Sequence, residues 1–288
     1  MIGSVVSMWR YPVKSMQGEE VDEVVVTERG ILGDRGYAVM ERVTGYIASA
    51  KHPRKWSRLL ECSAAFVESP GPEEPLPPVA ITLPDGVVVR SDQPDADMIL
   101  SRLLGRDVTL LAQAPAALRR EADRSEPDRI SPQEAIRVEE MALAAPAGTF
   151  FDYAALHLLT TATLNRLSDL HPSGQFVPAR FRPNIVVTPT GEPRDFVENG
   201  WLGHKLTIGP EVRLHAIDPC PRCVITTLAQ GDLPRDPVIL RTLAQHNAVA
   251  SATLAPGLVL PAVAGLYATV LRSGKICRGD AVGIVSEA

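Results

Sequence analysis

A basic field, a long apolar span and a cysteine framework are all missing from this chain of 288 residues. Each absence removes a class of function. Lysine and arginine number 29 against 34 aspartates and glutamates, a formal net charge of −5. Neutralising nucleic-acid phosphates needs a basic surface, so no nucleic-acid partner is expected. No window reads as a membrane span. The opening Met1-Ile2-Gly3-Ser4-Val5-Val6-Ser7-Met8-Trp9-Arg10 lacks the layout of a signal peptide, so no membrane association is expected either. Only four cysteines occur, unevenly spaced at Cys62, Cys220, Cys223 and Cys277, which is no disulfide scaffold and points to a reducing, cytoplasmic home. What the chain does have is 45% hydrophobic residues, enough for a sizeable core in two domains or two fused lobes.

The first 110 or so residues read mostly as strands. Val21 to Thr27 is β-branched, Gly36 to Arg42 follows a Gly-Asp-Arg turn, and Asp85-Gly86 joins Val79–Leu83 to Val87–Val89 with the signature of a type I′ hairpin. Ser69 to Pro78 is a proline-rich loop. A helix fits Ala96 to Leu104, capped by Asp95 and stopped by Gly105. Residues 114 to 140 are charged, proline-rich and without periodicity, and the lobe boundary is placed there, giving domains 1–125 and 126–288. Beyond it, Thr160-Thr161 leads into an amphipathic helix carrying Leu164, Leu167 and Leu170, with the threonines as N-caps. Strands are expected at Ile185–Thr188, Lys205–Ile208, Val212–Ala216, Val224–Leu228, Tyr267–Arg272 and Ala281–Val285, and a helix from Asp236-Pro237 to about Gln245. Many short strands with few helices predict an α+β, barrel-like fold.

Chemistry concentrates in Asp218-Pro219-Cys220-Pro221-Arg222-Cys223. A structural zinc site would want a second pair of cysteines or histidines at matching spacing, and there is none. A thioredoxin-like redox pair belongs at a strand-to-helix junction, whereas β-branched Val224-Ile225-Thr226-Thr227 follows here. Two inert buried cysteines are the bland alternative, and Arg222 weighs against it, because a guanidinium is costly to bury without an anion. A single thiolate ligand to a soft or high-valent metal stays open. Tyr11-Pro12-Val13-Lys14-Ser15 offers an ammonium and a hydroxyl to an anion. Gly33-Asp34-Arg35-Gly36 is a tight turn that by itself reads as surface. Arg180-Phe181-Arg182-Pro183-Asn184 enters a strand with two arginines that read, at their blandest, as rim residues. Lys14, Arg35, Arg182 and Arg222 together would suit a polyanionic cofactor, with a cysteine at its reactive end.

These motifs, in this order, resemble those of the MOSC-domain proteins, in particular the branch with an N-terminal β-barrel domain that includes the mitochondrial amidoxime-reducing component and its bacterial relatives. The residues that carry the likeness are Tyr11–Ser15, Gly33-Asp34-Arg35, Phe151-Asp152, Phe181-Arg182-Pro183-Asn184 and Arg222–Thr227. The resemblance implies a β-barrel-rich MOSC fold with a strand-rich N-terminal lobe, and a molybdenum cofactor (molybdenum on molybdopterin) held through one cysteine, for which Cys223 stands in place. It further implies that Lys14, Ser15, Arg35, Arg182 and Asn184 hold the pterin and its phosphate, with Arg222 and Tyr267 beside the metal. Where relatives carry hydroxyl residues after the Phe-Asp pair, this chain has Tyr153-Ala154, which would contribute backbone N–H groups. The implied activity is reduction of small N-oxygenated compounds. Electrons would come from a separate protein of ferredoxin or flavin-reductase type, because Cys62 and Cys277 cannot ligate a cluster. The other reading is a carrier of the cofactor, or of sulfur on Cys223. No general acid emerges; His52 and His246 qualify only because histidine titrates near neutrality.

Overall fold

The computed structural model describes residues 1–72, 74–115, 118–123, 136–146 and 148–285. Seven strands close into a barrel. In order around it they are Gly3–Arg10, Ile185–Pro189, Leu156–Thr160, Val263–Arg272, Val212–Pro221, Lys205–Ile208 and Ala281–Ile284, the last pairing back onto the first. Closure satisfies every edge, which a sheet of this length would otherwise leave to solvent or to other chains. All neighbours are antiparallel except Leu156–Thr160 with Ile185–Pro189, and that parallel pair is joined through the helix Thr161–Leu170, as a parallel connection requires. Alternate residues point inward: Val5, Leu158, Ile185, Val187, Leu206, Leu214, Leu266 and Val282 share one buried cluster.

The first strand therefore belongs to the barrel whose other six strands come from the second half of the chain. Glu19–Val21 and Glu23–Thr27 stay with the barrel, pairing with Gly3–Arg10 and Gly274–Cys277, while residues further on build a lobe of small sheets, Ala38–Glu41 with Val108–Leu111 and Ser63–Phe66 with Val79–Thr82 and Val88–Arg90, packed on the helix Ala96–Leu104. Val39, Trp56, Leu59, Ile81, Val89 and Leu100 form its separate core. The helix has the expected span, and Gly105 closes it in the left-handed conformation at φ 65°. Asp95 occupies the N-cap position without capping, its carboxylate accepting instead from Gln93 Nε2.

Several expectations need correction. The Asp85-Gly86 turn is real, but only Gly86 has a positive φ, and Leu83 N bonds Val87 O around a three-residue loop; a type I′ turn needs both central residues left-handed. Within the stretch expected to be irregular, Arg119–Asp123 and Ile136–Glu140 pair as an antiparallel hairpin. The expected boundary at 125/126 falls outside the described residues. Leu156–Thr160 was not expected as a strand. All five residues are buried, because one face fills the barrel while Leu159 faces the cluster beneath the Thr161–Leu170 helix, so no alternation marks it. Val224–Thr227 is a 3₁₀ turn and not a strand. Thr226 Oγ1 and Thr227 Oγ1 donate back to the carbonyls of Cys223 and Val224, a local alternative to pairing that overrides β-propensity.

From Asn247 to Leu271 the chain has no Asp, Glu, Lys, Arg or His, a stretch long enough to cross a bilayer. Two prolines and two glycines interrupt it, and it folds as a short hairpin followed by a barrel strand. Among the described residues no helix is long and apolar enough to cross a membrane.

Candidate functional site

A cavity of about 780 Å³ brings the sequence-predicted residues together. Lys14, Ser15, Arg35, Arg182 and Asn184 line it, as do Tyr153, Ala154, Arg222, Cys223 and Tyr267. They arrive from both halves of the chain.

Tyr11, fully buried where the first strand ends, organises the cationic side. Its ring carries the guanidinium of Arg35 at 4.3 Å and that of Arg182 at 4.4 Å from the centroid. Its hydroxyl donates to Pro183 O at 3.2 Å and is held well above the ordinary tyrosine range by burial. Asp34 supplies the counter-charge. Its buried carboxylate accepts from Tyr11 N (2.8 Å), from Asn184 Nδ2 (2.9 Å) and from Arg35 Nη1. The expectation of a surface turn at Gly33–Gly36 is thereby corrected. Asn184 lines the cavity, yet its amide is committed to the protein, Oδ1 accepting from His157 N at 3.1 Å while Nδ2 donates to Asp34. Arg182 differs: among the described residues nothing accepts a hydrogen bond from its guanidinium, and burial together with Arg35 lowers its pKa to about 10.

Six non-glycine residues among those described adopt positive φ, and three of them are Ser15 (67°), Arg35 (48°) and Arg182 (54°). A left-handed L-residue costs about 1–2 kcal/mol, and such strain gathers where function requires a particular side-chain direction. It explains why the two arginines of Arg180-Phe181-Arg182 part company. Arg182 turns into the cavity, whereas Arg180 is fully buried away from it. Arg180 is therefore no rim residue. It donates to Gln175 O (2.9 Å), Pro234 O (2.7 Å), Leu228 O (3.3 Å) and Thr226 O (3.4 Å), pinning the segment that follows Cys223.

Lys14 is 5% exposed and donates to Asp152 Oδ1 at 2.6 Å and Phe150 O at 3.1 Å. Burial lowers its pKa to about 8; Asp152 opposes the shift, and Arg120 and Lys51 add to it. Lys51 at 3.3 Å and Arg120 at 3.2 Å converge on the same carboxylate. Burial pushes the Asp152 carboxyl upward, but Arg120, Lys14 and Lys51 outweigh it and hold the group well below the usual range. Lys51 and Arg120 also line the cavity, and sequence reasoning missed both. Arg120 sits in the charged strand Arg119–Asp123 and Lys51 in a turn, and nothing in either local pattern points to a site. A consequence can be tested: below pH 8 the Lys14 ammonium attracts an anion, and above it that charge is lost. Sulfate, which does not titrate in this range, should bind roughly tenfold more weakly at pH 9 than at pH 7 in calorimetry, given the charge lost on deprotonation. Lys14→Arg should remove that pH dependence.

At the far side Cys223 follows the strand Val212–Pro221 and starts the 3₁₀ turn, partly exposed. Arg222 beside it donates to Cys220 Sγ (2.6 Å) and Phe181 O (2.7 Å), while its buried Nε has no partner. Burial disfavours the Arg222 charge, but the sulfurs and Tyr267 prevail and its pKa is raised. Tyr267 packs at a tilt against Tyr153 (5.3 Å between ring centroids) and His157 (6.2 Å), its hydroxyl held far above the usual value by burial and by Cys220.

His157 is the histidine of this cavity. Its Nε2 lies 3.0 Å from Ala264 O, and burial with Arg222 nearby lowers its pKa to about 3, so it is neutral at physiological pH. Neither His52 nor His246 reaches the cavity. Gly265 (φ 81°) fits beneath His157: an added Cβ would lie 2.4 Å from its Nε2 and 2.3 Å from Leu158 O. Gly265→Ala should therefore cost at least about 3 kcal/mol, combining left-handed strain with a backbone clash, measured as a fall in the denaturation midpoint.

Among the described residues no three side chains of His, Cys, Asp or Glu gather as a metal cluster. A metal at Cys223 would need its other ligands from a cofactor. The MOSC domain profile matches residues 146–283, and the MOSC N-terminal beta barrel domain matches residues 2–60. Mitochondrial amidoxime reducing component 2 of Rattus norvegicus is 27% identical over 241 residues, covering 79% of this chain and 67% of that protein. Its Homo sapiens counterpart is 25% identical over 247 residues with the same shares, and mitochondrial amidoxime-reducing component 1 of Mus musculus is 24% identical over 246 residues, 79% of this chain and 66% of its own.

Proposed function

The chain belongs to the MOSC-domain proteins and resembles the mitochondrial amidoxime reducing component, and on that premise we propose that it is a molybdenum-cofactor-dependent reductase of N-oxygenated compounds. The observation that carries the proposal is a cavity that joins half-buried arginines with unused donors to one accessible thiol. Among the described residues the buried Arg222 Nε has no acceptor, the Arg182 guanidinium makes no hydrogen bond, and Cys223 stands at the same cavity. That donor set fits an anionic pterin carrying a soft metal.

Arg182, Arg222, Arg35, Lys14 and Ser15 would hold the anionic end and Cys223 the metal. When bound, the cofactor supplies the two-electron couple for the reaction. The balance is one N–O bond cleaved, two electrons from a separate donor protein and two protons taken up, with water and the N–H product released. The chain's own part is to position. Asp34, Tyr11 and Asn184 fix the two arginines, Arg180 fixes the segment behind Cys223, and the neutral His157 packs against Tyr267 without adding charge.

The partial exposure of Cys223 also suits a carrier of the cofactor or of sulfur. Elemental analysis of protein purified from cofactor-producing cells, paired with benzamidoxime reduction by reduced viologen, separates the two. Near-stoichiometric molybdenum with turnover is expected. Molybdenum without turnover would favour the cofactor carrier, and metal-free or zinc-bearing protein would overturn both the reductase and the cofactor carrier, leaving the chemistry of Cys220 and Cys223 to be explained.

A further inference from the structure

The cavity has two chemically different sides. Besides its cations the cavity has an apolar wall in the loop from Ser251 to Pro261, from which Leu254, Leu260 and Pro261 line the space. Leu143 joins them, carried beside the Asp152 segment by Ala142 N to Asp152 O (3.2 Å) and Ala144 N to Tyr153 O (3.0 Å). The stretch that supplies the loop has no ionisable residue from Asn247 to Leu271. Of the lining residues Leu143 is 68% exposed, and Leu258 and Val259, on the same loop but outside the lining, are 61% and 64% exposed. Scattered exposed leucines are ordinary, but apolar side chains lining one cavity beside exposed neighbours mark a surface that a ligand covers.

This wall is built in advance and is not a lid. Asp218, fully buried, accepts from Ala252 N (2.6 Å), Leu254 N (2.7 Å), Thr253 N (3.2 Å) and Ser251 Oγ (2.8 Å). Ser251 Oγ in turn accepts from Ala255 N, and Thr253 Oγ1 accepts from Tyr153 OH, both at 2.8 Å. A carboxylate with this many donors holds its loop in one conformation. Asp218 lies two residues before Cys220, so one strand sets both the wall and the approach to Cys223.

We infer that this wall is the specificity surface of the cavity and takes the uncharged, apolar body of the substrate, an aryl or alkyl group, with Asp218 as its positioning residue. The identity of the reacting N–O group rests on the reductase reading; the apolar preference rests on the wall. A carboxylate on that body would be expelled from an apolar surface and drawn to the cations. Each methylene buried there is worth about fourfold in affinity.

The test uses holoenzyme and a set of amidoximes sharing one reacting group: acetamidoxime, benzamidoxime, 4-butylbenzamidoxime and 4-carboxybenzamidoxime. kcat/KM should rise at least about tenfold from the first to the third and fall back for the fourth. Leu254→Ser and Leu260→Ser should flatten that rise through KM. Leu143→Ser, at an exposed position where folding is not at stake, should do so too. Binding of unreactive 4-alkylbenzamides by calorimetry should follow the same chain-length order. Chain-length-dependent amide binding without reduction of any amidoxime would sink the reductase reading and leave the wall standing. Equal kcat/KM across the series, with amide binding indifferent to chain length, would overturn the wall while the reductase reading survived.

Discussion

Replacing Cys223 by serine is expected to abolish benzamidoxime reduction, by at least about a thousandfold, with the fold unharmed. Cys223 is partly exposed, belongs to none of the buried clusters, and among the described residues its sulfur takes part in no hydrogen bond. Its loss should therefore move the denaturation midpoint little, a surface-type change of about 0.5 kcal/mol or less. Cys220→Ser should behave the other way round. That sulfur is fully buried and accepts from Arg222, so stability falls, by roughly 1–2 kcal/mol for a poorly matched buried polar contact, while molybdenum stays bound. Elemental analysis beside calorimetry reads both quantities. Equal loss of metal in the two variants would contradict a single-ligand assignment.

Arg180→Ala should produce the largest stability loss, about 3–5 kcal/mol, because removing one side of a buried charged network leaves its partners uncompensated. Four carbonyls, those of Gln175, Thr226, Leu228 and Pro234, would lose a charged donor inside the protein. At roughly 2–4 °C per kcal/mol for a chain of this size, the thermal midpoint should fall by about 6–20 °C. Amide exchange should accelerate first across residues 224–235, the segment that Arg180 ties down. Unchanged exchange there, with a midpoint within a degree or two of wild type, would show that Arg180 does not hold that segment. Arg180→Lys should recover only part of the loss, since one ammonium cannot reach the four carbonyls that a planar fork serves.

These two arginines show where reading the chain succeeds and stops. Arg180 and Arg182 are chemically the same and two residues apart, and no pattern in Arg180-Phe181-Arg182-Pro183-Asn184 says which one meets a ligand. The left-handed turn at Arg182, which caps the short helix Pro178–Phe181, decides it, and Asn184 just beyond is held by Asp34, His157 and Trp9, from distant parts of the chain. Asp152 is similar. Its place after Phe151 was visible, but Lys14, Lys51 and Arg120 reach it from 138, 101 and 32 residues away, by subtraction of their numbers. Even the 3₁₀ turn at Val224–Thr227 depends on what is packed around it. β-Branched residues favour a strand only where a partner edge is free, and here Arg180 occupies the carbonyls that a partner would use.

Short-range forces account for what can be read from the residues in order: the Ala96–Leu104 helix with its glycine stop, the threonine cap at Thr160, and the barrel-like α+β class. The ordered Lys-Ser, Asp-Arg, Arg-Pro-Asn and Arg-Cys motifs, which belong to one cavity, are legible there too. Only the tertiary structure decided that Gly3–Arg10 closes the barrel against Ile185–Pro189, that Asp218 reaches across to pin residues 251–254, and that Arg180 supports while Arg182 faces the site. Caps, turns and periodicity act over a few residues, whereas strand closure and buried charge networks depend on which distant surfaces meet.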